Sequence, residues 1–435
     1  MTPVLIQNVI SMFVSLLDNI MVGQLGTEPM SGVAIVNQIL FVFNLAVFGG
    51  IAGAGIYTAQ FFGKGDEEGV KKTMRAKAWI VAIILTVAFT ILFALSDKLI
   101  MLFVHEGKDN LDLAATFEYA KQYLRIMYFQ MPLFAVLNIY STTLRETSRT
   151  RLPMRAGIIA VMVNLVGNYV LIYGKFGAPA LGVRGAAIAT VLARLVEVSI
   201  CVIGSGYRGV WNTFKVPASL AKQIAVKGLP LMVNEILWSS GMTTLNQIIS
   251  TRGLEAVSAE NIASTVSNLF FCAFFAMGTT VSIFIGQDLG SGDFDKAIDD
   301  DRKLIAFTLV FSTAIAVVMA LVAPLFPEIY NTTQTVKTIA SRMILVNAIM
   351  MPANAFTNAA FFTLRAGGRV WVTALYDSIY LWVLSVPITL AIVRLTSLSA
   401  VNVYALSYSI DLIKCVFGFI LVRSGIWINN LVAEE

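Results

Sequence analysis

Charged residues are scarce in this sequence: Lys, Arg, Asp and Glu make up 13% of the 435 residues, whereas hydrophobic residues make up 57%. A water-soluble domain carries about 25% charged residues, so the composition excludes an ordinary soluble protein. Histidine is nearly absent too, and a lone His105 argues against a histidine metal cluster or a histidine-centred catalytic triad. No Gly-x4-Gly-Lys-Ser/Thr segment occurs, so nothing indicates ATP hydrolysis.

Cysteine is also rare, and its three positions lie inside apolar stretches: Cys201, Cys272 and Cys415. This placement predicts packing residues rather than a disulfide framework. A membrane enzyme would need a nucleophile next to a base, and the sequence offers no such pair. We therefore expect neither an enzyme nor a bound cofactor.

Long hydrophobic runs are what the sequence has instead. Uncharged stretches such as 78–96, 156–174 and 304–327 each reach the roughly 18 residues that a helix needs to cross hydrocarbon. Dividing the apolar sequence at charged or Gly/Pro-marked turns predicts an all-α integral membrane protein with twelve transmembrane helices. Their predicted ranges are 2–24, 30–62, 78–104, 117–144, 153–174, 181–204, 223–251, 255–289, 303–331, 337–365, 369–394 and 399–423.

The basic residues predict the orientation, because Lys and Arg are retained in cytoplasmic turns. With the N-terminus inside, 19 of the 31 basic residues, Lys77 and Arg365 among them, fall in inner turns and 10 fall outside. Both termini are therefore predicted to be cytoplasmic. The net charge of +5 mostly reflects this bias, so we expect no nucleic-acid partner.

The sequence contains an internal repeat. Residues 3–66 match 230–293 at 14 of 64 positions without a gap, and residues 131–149 match 351–369 at 8 of 19. Many of the identities fall on Gly, Pro, Gln, Asn, Asp and Arg, which chance similarity between apolar segments would not favour. The repeat predicts two domains, a six-helix bundle over 1–210 with a linker to about 222, and a second over 223–435.

Each predicted bundle has an even number of helices, so both copies have the same orientation. We therefore expect them to be related by a pseudo-two-fold axis along the membrane normal. The repeat also includes "AQFFGKGD" (59–66) and "GQDLGSGD" (286–293). Their glycines are interpreted as tight-turn residues, and Asp66 and Asp293 as caps of the next helix.

Ionisable residues inside predicted spans are functional candidates, because a charge in hydrocarbon costs at least ~2.5 kcal/mol unless it is paired or hydrated. Arg194 and Glu197 lie three residues apart, as do Asp411 and Lys414, so each set is expected to pair, with substrate contact as the alternative. Three acids have no basic neighbour at helical spacing on their own helix: Asp18, Glu235 and Asp377. Each is expected to take a proton, a metal ion or a cationic ligand, or else to be a buried, hydrogen-bonded acid.

Amide and hydroxyl groups supply further candidate ligands. Asn164 and Asn168 are one helical turn apart and, with Thr190 and Asp18, offer oxygen atoms to a hard cation such as Na⁺. Hydrogen bonds between helices explain such residues equally well. Further polar residues that we expect to line a hydrated cavity are Asn37, Gln38, Asn44, Asn268, Asn354 and Asn358.

Several segments together resemble the multidrug and toxic compound extrusion (MATE) family of the MOP superfamily. They are "LLDNIMVGQLG" (16–26), "AQFFGKGD" (59–66), "TLRETSRTRLP" (143–153), "NLVGNYVLIYGKFG" (164–177) and "GAAIATVLAR" (185–194). The resemblance covers nearly the whole chain. It implies two six-helix bundles in a V shape around a central lumen, and export of cationic amphipathic compounds against an inward flow of H⁺ or Na⁺.

The resemblance also assigns roles to individual residues. It implies that Asp18 carries ion coupling, with Na⁺ as the metal it would hold, and that Asn164 and Thr190 belong to the same site. The sequence departs from the family at Asn168, where many members have Asp, and at Asn354 and Trp238, near positions that are acidic in the sodium-driven branch. One carboxylate fewer weakens Na⁺ binding but leaves Asp18 able to take a proton.

The sequence therefore predicts a monomeric, multi-pass antiporter of the inner cell membrane that exports small organic cations. The predicted substrate-binding residues are acidic, amide-bearing or aromatic: Glu235, Asp377, Asn37, Gln38, Asn44, Trp238, Asn268, Phe270, Asn354 and Asn358.

Two alternatives remain: a flippase of lipid-linked precursors from the same superfamily, and another transporter built from two six-helix halves. The flippases typically have fourteen helices and a basic cavity. The major facilitator type would need a Gly-x3-Asp-Arg pattern where this chain has "GKGDEEGVKK".

Overall fold

The computed structural model describes residues 17–18, 20–103, 112–207, 209–330 and 332–433, without the side chains of Phe103, Leu254 and Cys272. Most of the first predicted helix and His105 lie outside the described residues. Within the described part the chain is helical throughout and has no β-strand. The all-α prediction is confirmed.

The helices follow one another with short connections. Residues 17–18 and 20–23 belong to α1. The N-terminal half continues with α2 (Thr27–Lys64), α3 (Glu67–Phe103), α4 (Leu113–Glu146), α5 (Arg151–Tyr173) and α6 (Val183–Gly204). The C-terminal half contains α7 (Ala218–Ser250), α8 (Leu254–Ser291), α9 (Phe294–Val322), α10 (Gln334–Ala366), α11 (Val370–Leu395) and α12 (Ala400–Arg423).

Nine of the described helices are long and apolar enough to cross a membrane. Large apolar side chains on their outer faces are exposed, among them Phe93 of α3 and Val310 and Leu321 of α9. A soluble protein does not expose continuous apolar surfaces of this kind, whereas hydrocarbon covers them at no cost.

The chain folds as two compact units. Among the described residues, the N-terminal unit comprises those within 17–58 and 67–228, and the C-terminal unit comprises those within 59–66 and 229–433. The N-terminal unit has its own hydrophobic core, to which Met74, Leu124 and Met131 belong. The C-terminal unit has two core clusters, one around Met343 and one around Trp427.

The repeated glycine motifs have two different structural roles. Gly65 and Gly292 have φ angles of +80° and +81°, and the Asp293 carboxylate accepts a hydrogen bond from the Lys296 amide. At these positions the structure confirms the turn and cap interpretation. The first glycine of each motif, Gly63 or Gly290, is instead helical, so the turn interpretation is wrong there.

Gly63 and Gly290 permit a close crossing of the ends of α2 and α8 within the C-terminal unit. A Cβ atom on Gly63 would lie 1.9 Å from the Gln287 carbonyl oxygen, and one on Gly290 would lie 2.0 Å from the Gln60 carbonyl oxygen. The contact is reciprocal: each repeat places its glycine against the glutamine of the other. The glycine occurs in both copies of the motif because each helix lies directly against the backbone of the other at this crossing.

We expect Gly63→Ala to lower the thermal stability of the folded protein. The added methyl group meets backbone atoms, which cannot rotate away as a side chain does, and overpacking of this kind costs about 1–3 kcal/mol. Thermal unfolding in detergent, followed by tryptophan fluorescence, measures the effect. Gly65→Asn is the comparison, because nothing lies within 4 Å of a Cβ at Gly65 and only the positive φ opposes the substitution, which Asn adopts more readily than most residues. Equal Tm values for Gly63→Ala and the wild type would contradict the close crossing.

Candidate functional site

A polar cavity of about 300 Å³ lies within the N-terminal unit. Five helices contribute to its wall: α1, α2, α4, α5 and α6. The polar side chains that line it are Asp18, Asn37, Asn44, Tyr123, Gln130, Asn164, Asn168, Thr190, Arg194 and Glu197. All four predicted ion-site residues, Asp18, Asn164, Asn168 and Thr190, are therefore brought together around one space.

The Asp18 carboxylate is held by two neutral amides. Asn168 Nδ2 donates a hydrogen bond of 2.5 Å to Asp18 Oδ1. The Asn164 amide donates to Oδ1 at 2.7 Å and faces Oδ2 at 3.2 Å. Because Asn164 and Asn168 are four residues apart on α5, both side chains point from the same helical face.

Thr190 and Tyr123 complete the surroundings of Asp18. Thr190 Oγ1 lies 3.4 Å from the Asn164 amide and donates to the Ala186 carbonyl oxygen at 3.0 Å. Tyr123 and Gln130 are both buried and line the same cavity. Neither residue is predicted from the sequence, although their spacing of seven on α4 places them on one helical face.

No ion pair of the described residues involves Asp18. Arg194 is close enough to act on the carboxylate through its charge, but its ionic partner is Glu197, at 2.6 Å. The predicted Arg194–Glu197 pair is thus confirmed. Asp18 remains a partly buried acid with neutral hydrogen-bond donors, which is an arrangement that accepts a proton or a small cation.

The described residues contain no group of three or more His, Cys, Asp or Glu side chains that could hold a metal ion. Na⁺ would therefore have to be bound by one carboxylate together with amide, hydroxyl and backbone oxygens. Both amides present their NH2 groups to Asp18 here, so each would have to turn its oxygen inward to coordinate the ion. Protonation turns one Asp18 oxygen into a donor, so one amide would likewise have to present its oxygen to the carboxyl group.

The polar residues of α2 divide between two environments. Asn37 and Asn44 line the cavity, and Asn44 Oδ1 is buried without a hydrogen-bond partner. Gln38 is exposed and does not line it. The predicted cavity-lining role therefore fits the geometry of Asn37 and Asn44 but not that of Gln38, because adjacent residues on a helix point about 100° apart.

The C-terminal unit pairs the acids that our sequence analysis treats as unpaired. Glu235 Oε1 lies 3.5 Å from Arg365 Nη1, and Asp377 Oδ1 accepts from Lys414 Nζ at 2.8 Å. The expectation that Glu235 and Asp377 lack a basic partner is wrong. Their partners lie on other helices, so spacing along a single helix does not reveal them.

Lys414 was expected to pair with Asp411, three residues away, and this expectation is also wrong. Its described ion pair is with Asp377 of α11. Asp377 also accepts from Asn234 Nδ2 at 3.2 Å, and Ser378 Oγ donates to the Asn234 carbonyl oxygen at 2.7 Å. Asp377 and Ser378 lie in a π-helical turn, Leu375–Ile379, which is an uncommon distortion that often marks functional sites.

The other predicted substrate-binding residues lie on α7, α8 and α10. Trp238 and Asn268 are exposed, whereas Phe270, Asn354 and Asn358 are half-buried. Phe270 packs against the core cluster around Met343. Within the part of the chain that the structure describes, no hydrogen bond or ion pair connects these residues to Glu235 or Asp377.

A buried ion pair in the N-terminal unit escaped our sequence analysis. Lys77, which the charge pattern assigns to an inner turn, lies inside α3 and is 0% exposed. Its Nζ donates to Thr142 Oγ1 at 3.0 Å and Thr143 Oγ1 at 3.1 Å, and forms a short ion pair with Glu146. The sequence signal was available: Thr142, Thr143 and Glu146 occupy one face at the end of α4.

The architecture defines a class of protein: an all-α, multi-pass membrane protein whose N-terminal unit encloses a polar cavity around one acid. The family model described as MatE matches residues 3–170 and again residues 230–391. The two matches begin at Pro3 and Pro230, which are paired in the internal repeat. The chain belongs to the MATE family of transporters, and the resemblance identified from the sequence is confirmed.

Individual relatives agree with this assignment. The chain is 25% identical over 438 residues to a probable multidrug resistance protein NorM of Thermotoga maritima, covering 99% of this chain and 92% of the relative. It is 24% identical to the probable multidrug resistance protein YoeA of Bacillus subtilis, with 96% and 91% covered. A solved structure of a mutant of the Vibrio cholerae MATE transporter VcmN superposes with a TM-score of 0.85 at 20% identity, covering 98% and 96%.

The structural likeness confirms the predicted fold of twelve membrane-spanning helices in two bundles. The chain is a multi-pass membrane protein, and its family handles small molecules.

Proposed function

We propose that this protein is a secondary active antiporter that exports cationic amphipathic drugs or toxic metabolites in exchange for inward H⁺ or Na⁺. The observation that carries the proposal is the Asp18 carboxylate, which lies in a polar cavity with neutral donors and no ion pair of its own among the described residues. Relatives over nearly the full length are called multidrug resistance proteins, which supports drug export.

Asp18 is proposed to bind the coupling ion, together with Asn164, Asn168 and Thr190. An ion that neutralises Asp18 removes the negative charge that favours a cationic substrate. Binding of the ion and binding of the substrate therefore oppose each other. The membrane potential adds about 2.3 kcal/mol per charge per 100 mV to inward cation movement. The low negative charge of the site favours H⁺ over Na⁺, because a lone carboxylate without a further acidic ligand in the described part of the chain binds a metal ion weakly.

Glu235 and Asp377 are proposed to contribute to substrate binding. Their ion pairs affect which substrates can bind. A substrate cation that approaches either acid has to compete with Arg365 or Lys414. Such competition selects cationic ligands that also carry a large apolar surface. Burial of that surface is favourable and offsets the cost of displacing the internal cation. Amphipathic organic cations have this chemistry.

The setting that we propose is the inner cell membrane, with both termini cytoplasmic and a monomer as the functional form. Cytoplasmic termini follow from the excess of basic residues in the turns assigned to that side. A flippase for lipid-linked precursors is less well supported, because the charged residues around the cavity are two acids, Asp18 and Glu197, and one base, Arg194. An anionic headgroup would require the opposite balance.

Dye efflux from proteoliposomes tests the proposed function. Vesicles that contain the purified protein and an ethidium-like cation are given a proton gradient alone or a sodium gradient alone. We expect the proton gradient to drive dye movement and the sodium gradient to have a smaller effect. Protein-free vesicles are the control, and equal dye movement in both would contradict export by this protein.

A further inference from the structure

The segment that follows α12 packs tightly against the C-terminal unit. Trp427 is 2% exposed and Val432 is 0% exposed, although both lie beyond the last membrane-spanning helix. Arg369 Nε donates to the Ile426 carbonyl oxygen at 2.9 Å, and Asn429 Nδ2 donates to the Gly367 carbonyl oxygen at 3.2 Å. Residues 426–433, named the tail here, are thus fixed to the end of α10 and the turn after it.

The end of α2 holds the same tail through one glutamine. Gln60 is fully buried, and its Nε2 donates to the carbonyl oxygens of Asn429 and Ala366, each at 3.2 Å. Its Oε1 accepts from the Leu431 amide at 2.7 Å. All the hydrogen-bonding positions of this side chain but one are therefore used on α10 and the tail.

Lys64 and the end of α8 extend the contact. Lys64 Nζ donates to the Val432 carbonyl oxygen at 2.5 Å. Asn430 Nδ2 reaches the Gly290 carbonyl oxygen at 3.5 Å, at the position where α8 crosses α2. The tail thereby connects the ends of α2, α8 and α10.

We propose that the tail is a latch on α2, and that transport requires Gln60 and Lys64 to release it. The proposal rests on the proposed function, because an antiporter has to expose its sites alternately on two sides of the membrane. Most of α2, up to Thr58, belongs to the N-terminal unit, whereas its last residues from Ala59 belong to the C-terminal unit. A rearrangement of the units therefore has to bend α2 or separate its end from the tail and from α8, which it crosses at Gly63.

Separation fits the contacts better than bending. Gly53 and Gly55, the two glycines that precede the unit boundary most closely, are accounted for by close packing. A Cβ at Gly53 would lie 2.5 Å from the Gly228 nitrogen, and one at Gly55 would lie 2.4 Å from Glu146 Oε1. The bonds from α2 to the tail are side-chain to backbone hydrogen bonds, which water can replace when the contact opens. The tail itself stays anchored through Trp427, which belongs to a core cluster, and through its hydrogen bonds with Arg369 and Gly367.

Reversible crosslinking tests the latch. The double variant Gln60→Cys/Leu431→Cys is reconstituted, treated with a short bis-methanethiosulfonate reagent and assayed for dye export before and after reduction with dithiothreitol. We expect export by the reduced form, at least a tenfold loss after crosslinking, and recovery on reduction. If the reduced double variant is inactive, Lys64→Cys/Val432→Cys, which keeps Gln60, replaces it.

The matched control is Arg369→Cys/Ile426→Cys, which ties the tail to the turn after α10 without involving α2. It contains the same native cysteines and is expected to export dye equally well before and after crosslinking. Full export by crosslinked Gln60→Cys/Leu431→Cys would overturn the latch, as would equal inhibition of the control pair. Absence of export by the wild type would instead contradict the proposed antiport, so the two failures are distinguishable.

Discussion

Replacing Asp18 by Asn is expected to abolish gradient-driven export. Asn has nearly the same size and can keep hydrogen bonds to Asn164 and Asn168, but it cannot exchange a proton and offers Na⁺ no charge. The loss should be on the order of 100-fold, near the upper end of the coupling between two linked sites. Dye efflux from proteoliposomes under an imposed proton gradient measures it.

The control for this variant is Asp97→Asn, since Asp97 is exposed and pairs with Lys121 away from the cavity. It should retain wild-type export. Unimpaired gradient-driven export by Asp18→Asn would show that coupling takes place at another residue, and the role proposed for the cavity would then be wrong.

Replacing Glu146 by Gln is expected to destabilise the fold strongly. Lys77 is fully buried, and without the carboxylate its partners are uncharged: the hydroxyl groups of Thr142 and Thr143 and the amide oxygen of the new Gln. Removing one member of a buried ion pair costs about 3–5 kcal/mol, because the remaining charge is left uncompensated. The unfolding temperature of the purified protein in detergent measures the effect.

Two further variants make this prediction specific. Asp299→Asn removes a carboxylate from an ion pair with Lys303, in which both side chains are mostly exposed, and should change stability by less than about 1 kcal/mol. The double variant Lys77→Met/Glu146→Leu removes both charges and should recover much of the lost stability. A Glu146→Gln protein as stable as Asp299→Asn would contradict the buried pair.

The Asp18 site could be predicted from the sequence because its signals are local. Asn164 and Asn168 are one turn apart, and an acid inside an apolar helix is costly enough to indicate a function by itself. The sequence could not show that Tyr123 and Gln130 join them, since tyrosine and glutamine in a helix are common and their position depends on how α4 packs against α5 and α6.

The charge pairs of the C-terminal unit could not be predicted, because their partners are far apart in sequence. Lys414 lies three residues from Asp411 but pairs with Asp377, which another helix carries. Glu235 and Arg365 are likewise on α7 and α10. Helical spacing identifies only ion pairs within one helix. It therefore predicts the wrong partner for Lys414 and no partner for Glu235 and Asp377.

The repeated glycine motif shows a similar limit. Gly65 and Gly292 have the positive φ that a turn predicts, and this local requirement is visible in the sequence. Gly63 and Gly290 are needed because another helix approaches them, and only the packed structure shows that approach. Their identical spacing in both repeats indicated a shared constraint but not its nature.

The measurement that tests the central claim most directly is equilibrium binding of an ethidium-like cation to the purified protein. It is titrated at several pH values with Na⁺ fixed, and at several Na⁺ concentrations with pH fixed. For the wild type, we predict that affinity for the dye falls as the coupling ion increases, and that Asp18→Asn removes this dependence. The same ion dependence in both proteins would contradict the claim that ion binding at Asp18 opposes substrate binding.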